Sequence, residues 1–289
     1  NAGDKLYYDN RGKSLFLLKV GTANLAEKGI RIMVAHVDSP RLDLKQVPLY
    51  EKADMAFLKT RYYGGIKKYH WLTIPLALHG VVVLADGTKL NITVGEDDKD
   101  PVFYITDLLP HLSQEYSEKP VSKAFSAENL NILIGGIPME GAESDAVKMR
   151  ALNYLHDKYG ITEEDFLSAE IEAVPTVKAR DVGFDRAFVA SYGHDDRICA
   201  YTELRAIMDL EKTPEKTAVC YFADKEEIGS VGNTGARSNA LEYFVSLLCS
   251  LYTDNDVMWL TKRCLNASRM LSADVTAAFD PSYPEVYDK

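Results

Sequence analysis

Long apolar runs are missing from this 289-residue sequence: no stretch approaches the roughly 18 uninterrupted apolar residues that a membrane span requires. No basic-plus-apolar leader opens it. The expectation is a soluble, cytoplasmic protein with no membrane partner. Basic charge is also in short supply, with 43 acidic residues against 33 basic ones and a formal net charge of −10. Such a surface repels phosphate backbones and anionic lipid, and the lysines at Lys67-Lys68 and at Lys212 and Lys216 are too few to offset it. Nucleic acid is therefore not an expected partner.

Cysteine is scarce as well. Cys199, Cys220, Cys249 and Cys264 make no CxxC pair, which fits neither a zinc ribbon nor a disulfide-dense secreted module, and they read as buried thiols. The sequence has no G-x-x-x-x-G-K-[ST] P-loop, and the glycines of IGSVGNTG do not make the spaced GxGxxG of a dinucleotide site. Histidine is absent beyond residue 194: His36, His70, His79, His111, His156 and His194 all precede residue 195.

What is present is globular composition, 46% hydrophobic and 26% charged, at a length that suggests about two domains. Residues 14–20 and 30–37 read as buried strands, and 76–84 with 89–94 as a hairpin around Asp86-Gly87. Residues 54–71 read as irregular. Helical spacing is expected over 105–114 and 143–159, a helix start at 161–166, and strands at 129–137 and 168–177. From residue 196 the texture changes. An amphipathic helix over 196–209, with Ile198, Tyr201, Leu204 and Ile207-Met208 as its apolar face, is followed by a strand at 217–223, a helix at 240–252 and a strand within 269–279. That alternation predicts an α/β layer with a parallel sheet, interrupted by a mixed domain over about residues 48–182.

Three apolar strands run into chemistry: 32–35 into His36-Val37-Asp38, 218–223 into Asp224-Lys225-Glu226-Glu227, and 269–273 into Asp274. In parallel sheets the carboxyl ends of strands line the ligand crevice, so parallel neighbours would bring an imidazole and several carboxylates together. Clustered carboxylates repel one another, and a divalent cation relieves that repulsion. Mixed imidazole and carboxylate ligands suit zinc, with manganese or cobalt as alternatives. Asp195-Asp196, at the head of the next helix, could bridge two cations about 3.5–4 Å apart. In Glu226-Glu227, neighbouring side chains of an extended chain point to different sides, so one could bind metal while the other takes a proton from a metal-acidified water. Each element alone has a structural alternative: HxD as a satisfied histidine, GHDD as a helix cap, and EE as a solvated pair.

The strings AHVDSPRLDLK (35–45), YYGGIKKYHW (62–71), YGHDDRICAY (192–201), DKEEIGSVGNTGARS (224–238) and SADVTAAFDPSYPE (272–285) resemble the M18 metallopeptidases, of the aspartyl aminopeptidase and vacuolar aminopeptidase I type. The resemblance runs in order along essentially the whole chain. It implies a three-layer α/β/α zinc-peptidase catalytic domain over 1–47 and 183–289, interrupted by a mixed β/α dimerisation domain over 48–182. It further implies two zinc ions per subunit of the complete protein and a homo-oligomer built from dimers, a dodecamer. By the same resemblance His36 and Asp274 are ligands of one metal, Asp195 bridges, Glu227 is a ligand of the second, and Glu226 is the general base. Asp38 then holds the orientation of His36 in support of catalysis, and Asp196 shapes the turn. In that family a final histidine follows the Asp274-type ligand; none follows His194 here, so the expectation is a chain lacking its C-terminal part, with a weak or absent second metal.

The implied reaction is release of single N-terminal residues from a peptide substrate, acidic Asp or Glu being favoured. Lys67, Lys68 and His70 are candidates for attracting an acidic side chain. Two other readings stay open: a related di-metal carboxypeptidase or deacylase, with Arg197 and Arg237 as carboxylate clamps, and an oligomerisation module with an incomplete site. His79 and His111 read as structural.

Overall fold

Residues 14–20 are almost continuously apolar, as a strand between two packed layers must be, and the computed structural model, which describes residues 1–253 and 255–286, places them so. The chain opens with a hairpin of β1 (Lys5–Asn10) and β2 (Ser14–Lys19), one turn of helix, α1 (Leu25–Lys28), and β3 (Arg31–His36). A second unit follows: β4 (Arg41–Lys52), β5 (Met55–Tyr63), β6 (Leu76–Val83), β7 (Lys89–Val94), the one-turn helices α2 (Gln114–Ser117) and α3 (Val121–Ala124), β8 (Ile132–Gly135), α4 (Ala146–Tyr159), β9 (Glu170–Pro175), β10 (Arg180–Val182) and β11 (Phe188–Ala190). The first unit then resumes with α5 (His194–Met208), β12 (Ala218–Ala223), α6 (Ala240–Ser250), α7 (Val257–Ala267) and β13 (Arg269–Ser272).

The units are Asn1–Ser39 with Gly193–Lys289, and Pro40–Tyr192. They divide at Pro40 and Gly193 rather than at 48 and 183. The reason is local: β4 runs unbroken through residue 47 and pairs with β5, while β10 and β11 pair with each other inside the second unit. Residues 287–289 of the span expected to be catalytic lie outside the described residues.

The first unit is built on a five-stranded sheet in the order β1-β2-β12-β3-β13. β12 and β13 flank β3 and both run parallel to it. Alternate side chains feed two layers. Phe16, Leu18, Ile32, Val219 and Tyr221 face α6 and α7, whereas Leu15, Leu17, Cys220 and Phe222 share a cluster with Ala200 and Ile207 of α5. This is the expected α/β/α arrangement. Phe16 stacks on Tyr221 and Phe244 at centroid distances of 4.2 and 4.4 Å, which locks β2, β12 and α6 together at about 0.5–1.5 kcal/mol per aromatic pair beyond simple burial.

The second unit holds a six-stranded antiparallel sheet in the order β7-β6-β9-β4-β5-β8, its core formed by residues such as Leu42, Leu58, Leu76, Ile132 and Ala173 with Val147 of α4. Two expectations fail here. Residues 54–71 are not irregular throughout, because β5 occupies most of the first half and pairs with β4 across a two-residue turn, Ala53-Asp54, with φ of 51° and 58°. Both central residues are left-handed, as a tight hairpin requires, yet Ala-Asp lacks the usual Asn-Gly signature. Residues 105–114 are not a helix. Pro110 restricts Leu109 and donates no hydrogen bond, only the 3-10 turn Pro110–Leu112 forms, and Leu108, Leu109 and Leu112 are exposed. Among the described residues no helix is long and apolar enough to cross a membrane.

Candidate metal centre

The parallel register of the first unit decides where the strand ends meet. Ala223 lies opposite His36, and Ser272 lies opposite Val34, so two further residues bring Asp274 level with His36. Backbone bonds from Val37 N–H to Ala223 O and from Ala273 N–H to Val34 O carry the ladder past the strand ends. Three apolar strands thus deliver His36, the segment beginning at Asp224, and Asp274 to one edge.

His36 is buried, and its two ring nitrogens face different groups. Nδ1 lies 3.0 Å from the Asp38 carbonyl oxygen and 3.2 Å from Asp38 Oδ1. Nε2 lies 3.0 Å from Asp195 Oδ1 and 3.8 Å from both Glu226 Oε2 and Asp274 Oδ1. Burial alone would lower the imidazolium pKa, but the hydrogen bond and charge of Asp38, joined by Asp195 and Glu226, outweigh it and hold His36 at about 9.

Asp38 is buried. Its carboxylate accepts the backbone N–H groups of Glu226, at 3.0 Å, and Glu227, at 3.2 Å, so it ties the end of β3 to the paired glutamates while orienting the His36 ring. The loop beyond is pinned in turn. Thr234 Oγ1 donates to Asp224 Oδ2 at 2.8 Å, Asp224 bridges to Gly235, and a Cβ at Gly235 would lie 2.4 Å from the Ser230 carbonyl oxygen.

Asp195 and Asp196 have non-helical torsion angles although they fall within α5, and the peptide between them is cis. Ser39 Oγ donates to the Asp195 carbonyl oxygen at 3.1 Å. The side chains converge into three sets whose ligand atoms lie within 4.8 Å of one another: His36, Asp195 and Glu227; His36, Glu226 and Asp274; and Asp195, Asp196 and Asp274. Each site residue derived from the sequence other than Asp38 therefore appears in at least one set.

These residues fit a divalent cation on their own chemistry. Glu227 Oε1 is buried with no hydrogen-bond partner, and burial first, then the Asp195 charge, pushes its carboxyl up to about 7. The charge of the neighbouring His36 offsets this only in part, and a carboxylate so placed suits a further positive partner. Glu226, Asp195 and Asp274 are each about half exposed, leaving the cluster open on one side.

Glu203 escaped the sequence reading, and so did the burial of Asp196. The sheet-facing stripe of α5 runs through Asp196, Ala200, Glu203 and Ile207, while Ile198, Tyr201 and Met208, taken as its apolar face, are exposed. Spacings of four, three and four residues mark that stripe in retrospect, but carboxylates at two of its positions hid it. Glu203 has both carboxylate oxygens buried without a partner, and burial first, then Asp196, raises it from an ordinary 4.5 to about 7. The folded chain therefore keeps this proton to higher pH than the unfolded chain, and stability is lost as pH rises from about 4.5 through 7. Glu203→Gln is expected to gain about 3 kcal/mol over wild type at pH 8 and far less at pH 5, measured by urea unfolding. A gain equal at both pH values would contradict this account.

The other histidines lie apart in the second unit or outside the sets. His79 Nε2 meets Glu96 Oε1 at 2.9 Å, and His111 is exposed on its 3-10 turn. Lys67, Lys68 and His70 belong to the second unit, at the turn Lys68–Trp71.

Comparison with known proteins identifies the family. The model of the aminopeptidase I zinc metalloprotease family (M18) matches residues 1–289. A relative named "Probable M18 family aminopeptidase 1" from Clostridium acetobutylicum is 54% identical over 288 residues, covering 99% of this chain and 61% of its own length. The crystal structure of an M18 family aminopeptidase from Thermotoga maritima superposes with a TM-score of 0.93 at 46% identity, covering 99% of this chain and 62% of that one. That of aminopeptidase I from Clostridium acetobutylicum gives a TM-score of 0.89 at 49% identity, over 98% and 61%. The chain thus spans about three fifths of the length of the relatives it matches. It belongs to the M18 family of aminopeptidase I zinc metalloproteases.

Proposed function

We propose that the protein of which this chain is part is a di-zinc aminopeptidase that removes single N-terminal residues from peptides, with acidic residues preferred. The observation that carries this reading is the convergence of His36, Asp195, Glu226, Glu227 and Asp274 at one open edge of the parallel strands. When bound, zinc supplies Lewis acidity, polarising a peptide carbonyl and lowering the pKa of a water toward about 7. His36 and Asp274 would hold one ion, Asp195 would serve both, and Glu227 would offer its buried oxygen to the other. Manganese and cobalt are alternative occupants.

Glu226 is the general base. Its carboxylate lies 3.8 Å from His36 Nε2, about half exposed, while its backbone N–H is fixed by Asp38, so it can accept a proton on the open side and pass it to the leaving amine. Asp38 acts through these neighbours, holding the imidazole and the Glu226-Glu227 backbone in register. The exposed apolar side chains of the second unit, among them Phe184, Phe188 and Val189 on the β10–β11 hairpin and Leu109 and Leu112, suit a dimerisation role for that unit in a larger homo-oligomer, a dodecamer by family resemblance.

Hydrolysis of Asp-, Glu- and Leu-anilides in the presence of zinc tests the reading. Faster turnover of the acidic anilides, abolished by chelation, is expected. A strong Leu preference would end the acidic assignment, and cleavage confined to N-acetylated amino acids would replace an aminopeptidase with a deacylase.

A further inference from the structure

The edge that holds His36 carries a second feature, on the other side of the paired glutamates. β2 runs antiparallel to β12, with Leu15 opposite Phe222, so the β1–β2 turn at residues 11–13 lies at the same end of the sheet as His36. Beside that turn opens a cavity of about 790 Å³, a size usual for a small-ligand site, walled by the turn, the loop from Gly232 and the start of α6. Its walls are tied together. Buried Asn10 donates through Nδ2 to Ser14 Oγ at 3.0 Å and to the Asn233 carbonyl oxygen at 3.3 Å.

What the cavity offers is positive charge, in a chain whose formal net charge is −10. Arg11 and Arg237 both line it, and among the described residues neither guanidinium has an ion-pair or hydrogen-bond partner. Asp9 is the sole acid among the lining residues, and its Oδ1 already accepts the Gly12 N–H at 2.6 Å. Asn239 gives the 11-residue helix α6 no side-chain cap, so the positive end of that helix also faces the cavity. Tyr8 and Tyr243, with ring centroids 6.4 Å apart, add apolar surface. Two free guanidinium forks in such a cavity suit a carboxylate.

The spacing of the strands says which carboxylate. Neighbouring strands lie about 4.8 Å apart, so β2 and β1 stand about 10 and 14 Å from β3, and an extended peptide rises about 3.4 Å per residue. A peptide whose amino end lies at the His36 edge therefore reaches the cavity about three or four residues farther on. A carboxypeptidase would instead hold the terminal carboxylate within one residue of the reacting bond.

We propose that Arg11 and Arg237 form a subsite for the C-terminal carboxylate of a short peptide, which makes peptides of about four or five residues with a free carboxyl end the substrates of the neighbouring metal centre. The placement of the amino end rests on the aminopeptidase reading; the carboxylate subsite stands on the cavity.

The test measures binding of N-acetyl-tetraalanine and of its C-terminal amide by calorimetry, in wild type, Arg11→Ala and Arg237→Ala. The acetyl group blocks hydrolysis, and both arginines are exposed and unpartnered, so neither substitution removes a contact of the fold. Wild type is expected to bind the acid at least about tenfold more tightly than the amide, and each substitution is expected to remove most of that difference. Equal binding of acid and amide by wild type, or an acid preference that survives both substitutions, overturns the proposal. Inorganic phosphate that binds the two arginines more tightly than the peptide acid also overturns it, in favour of a phosphate site. With zinc present, Asp-Ala-Ala-Ala is expected to show a KM at least about tenfold below that of its amide at similar kcat, and Arg237→Ala to bring the two together. Equal KM values in wild type contradict the subsite. Failure to hydrolyse either peptide would instead sink the aminopeptidase reading and leave the acid-against-amide binding result standing.

Discussion

Glu226→Gln is expected to lower peptide hydrolysis by about 10²- to 10⁴-fold while zinc affinity stays within about threefold. The substitution preserves the size of the side chain and leaves untouched the backbone N–H that Asp38 accepts at 3.0 Å, so the loop keeps its anchor. What it removes is the ability to take a proton. Glu226 and Glu227 each fall in a set with His36, and the pair is separated by environment: Glu227 Oε1 is buried and unpartnered, whereas Glu226 is about half exposed. Glu227→Gln is accordingly expected to lose zinc as well as activity. Should Glu226→Gln lose zinc and Glu227→Gln keep it, the two roles are reversed.

His36→Ala is expected to weaken zinc binding by about 100-fold or more, since the His36 imidazole belongs to two of the three converging sets and removing a ligand exceeds the 10- to 100-fold typical of its supporting groups. Asp38→Asn, which disturbs that support, falls in the latter range. The pH dependence follows from the charge around the ring. Burial lowers the pKa of His36, Asp38 and its neighbours more than restore it, and the result is about 9. A cation that takes Nε2 displaces this proton, so zinc affinity is expected to fall by about tenfold per pH unit on going below 9, and more steeply below 7 as Glu227 takes up its proton. Titrations at pH 6, 7 and 8 measure the slope. A flat profile would mean that His36 is not the ligand.

The site was readable from the sequence to the extent that local patterning dictates it. Apolar runs ending in His36, Asp224 and Asp274 point to strand ends, and the α/β alternation predicts that these strands are parallel; the register then does the rest. The β4–β5 turn was hidden because Ala53 and Asp54 adopt left-handed backbone without a glycine. The apparent helix at 105–114 failed because apolar spacing there is not matched by a surface to bury it, and Leu109 and Leu112 remain exposed. α5 misled for the opposite reason. Its buried stripe contains Asp196 and Glu203, which periodicity assigns to solvent, and only the packing against β3 and β12 reveals that two acids lie inside. Buried charge is a tertiary fact, and at this edge it accompanies the metal-ligand geometry.

The central claim is that the His36 edge holds the zinc. A zinc-edge anomalous difference map from crystals of the chain tests it most directly. The account predicts a peak about 2.0–2.1 Å from His36 Nε2, shared with Asp195 and with Glu227 or Asp274. Zinc bound elsewhere, as at His79 and Glu96, with no peak beside His36, would contradict it.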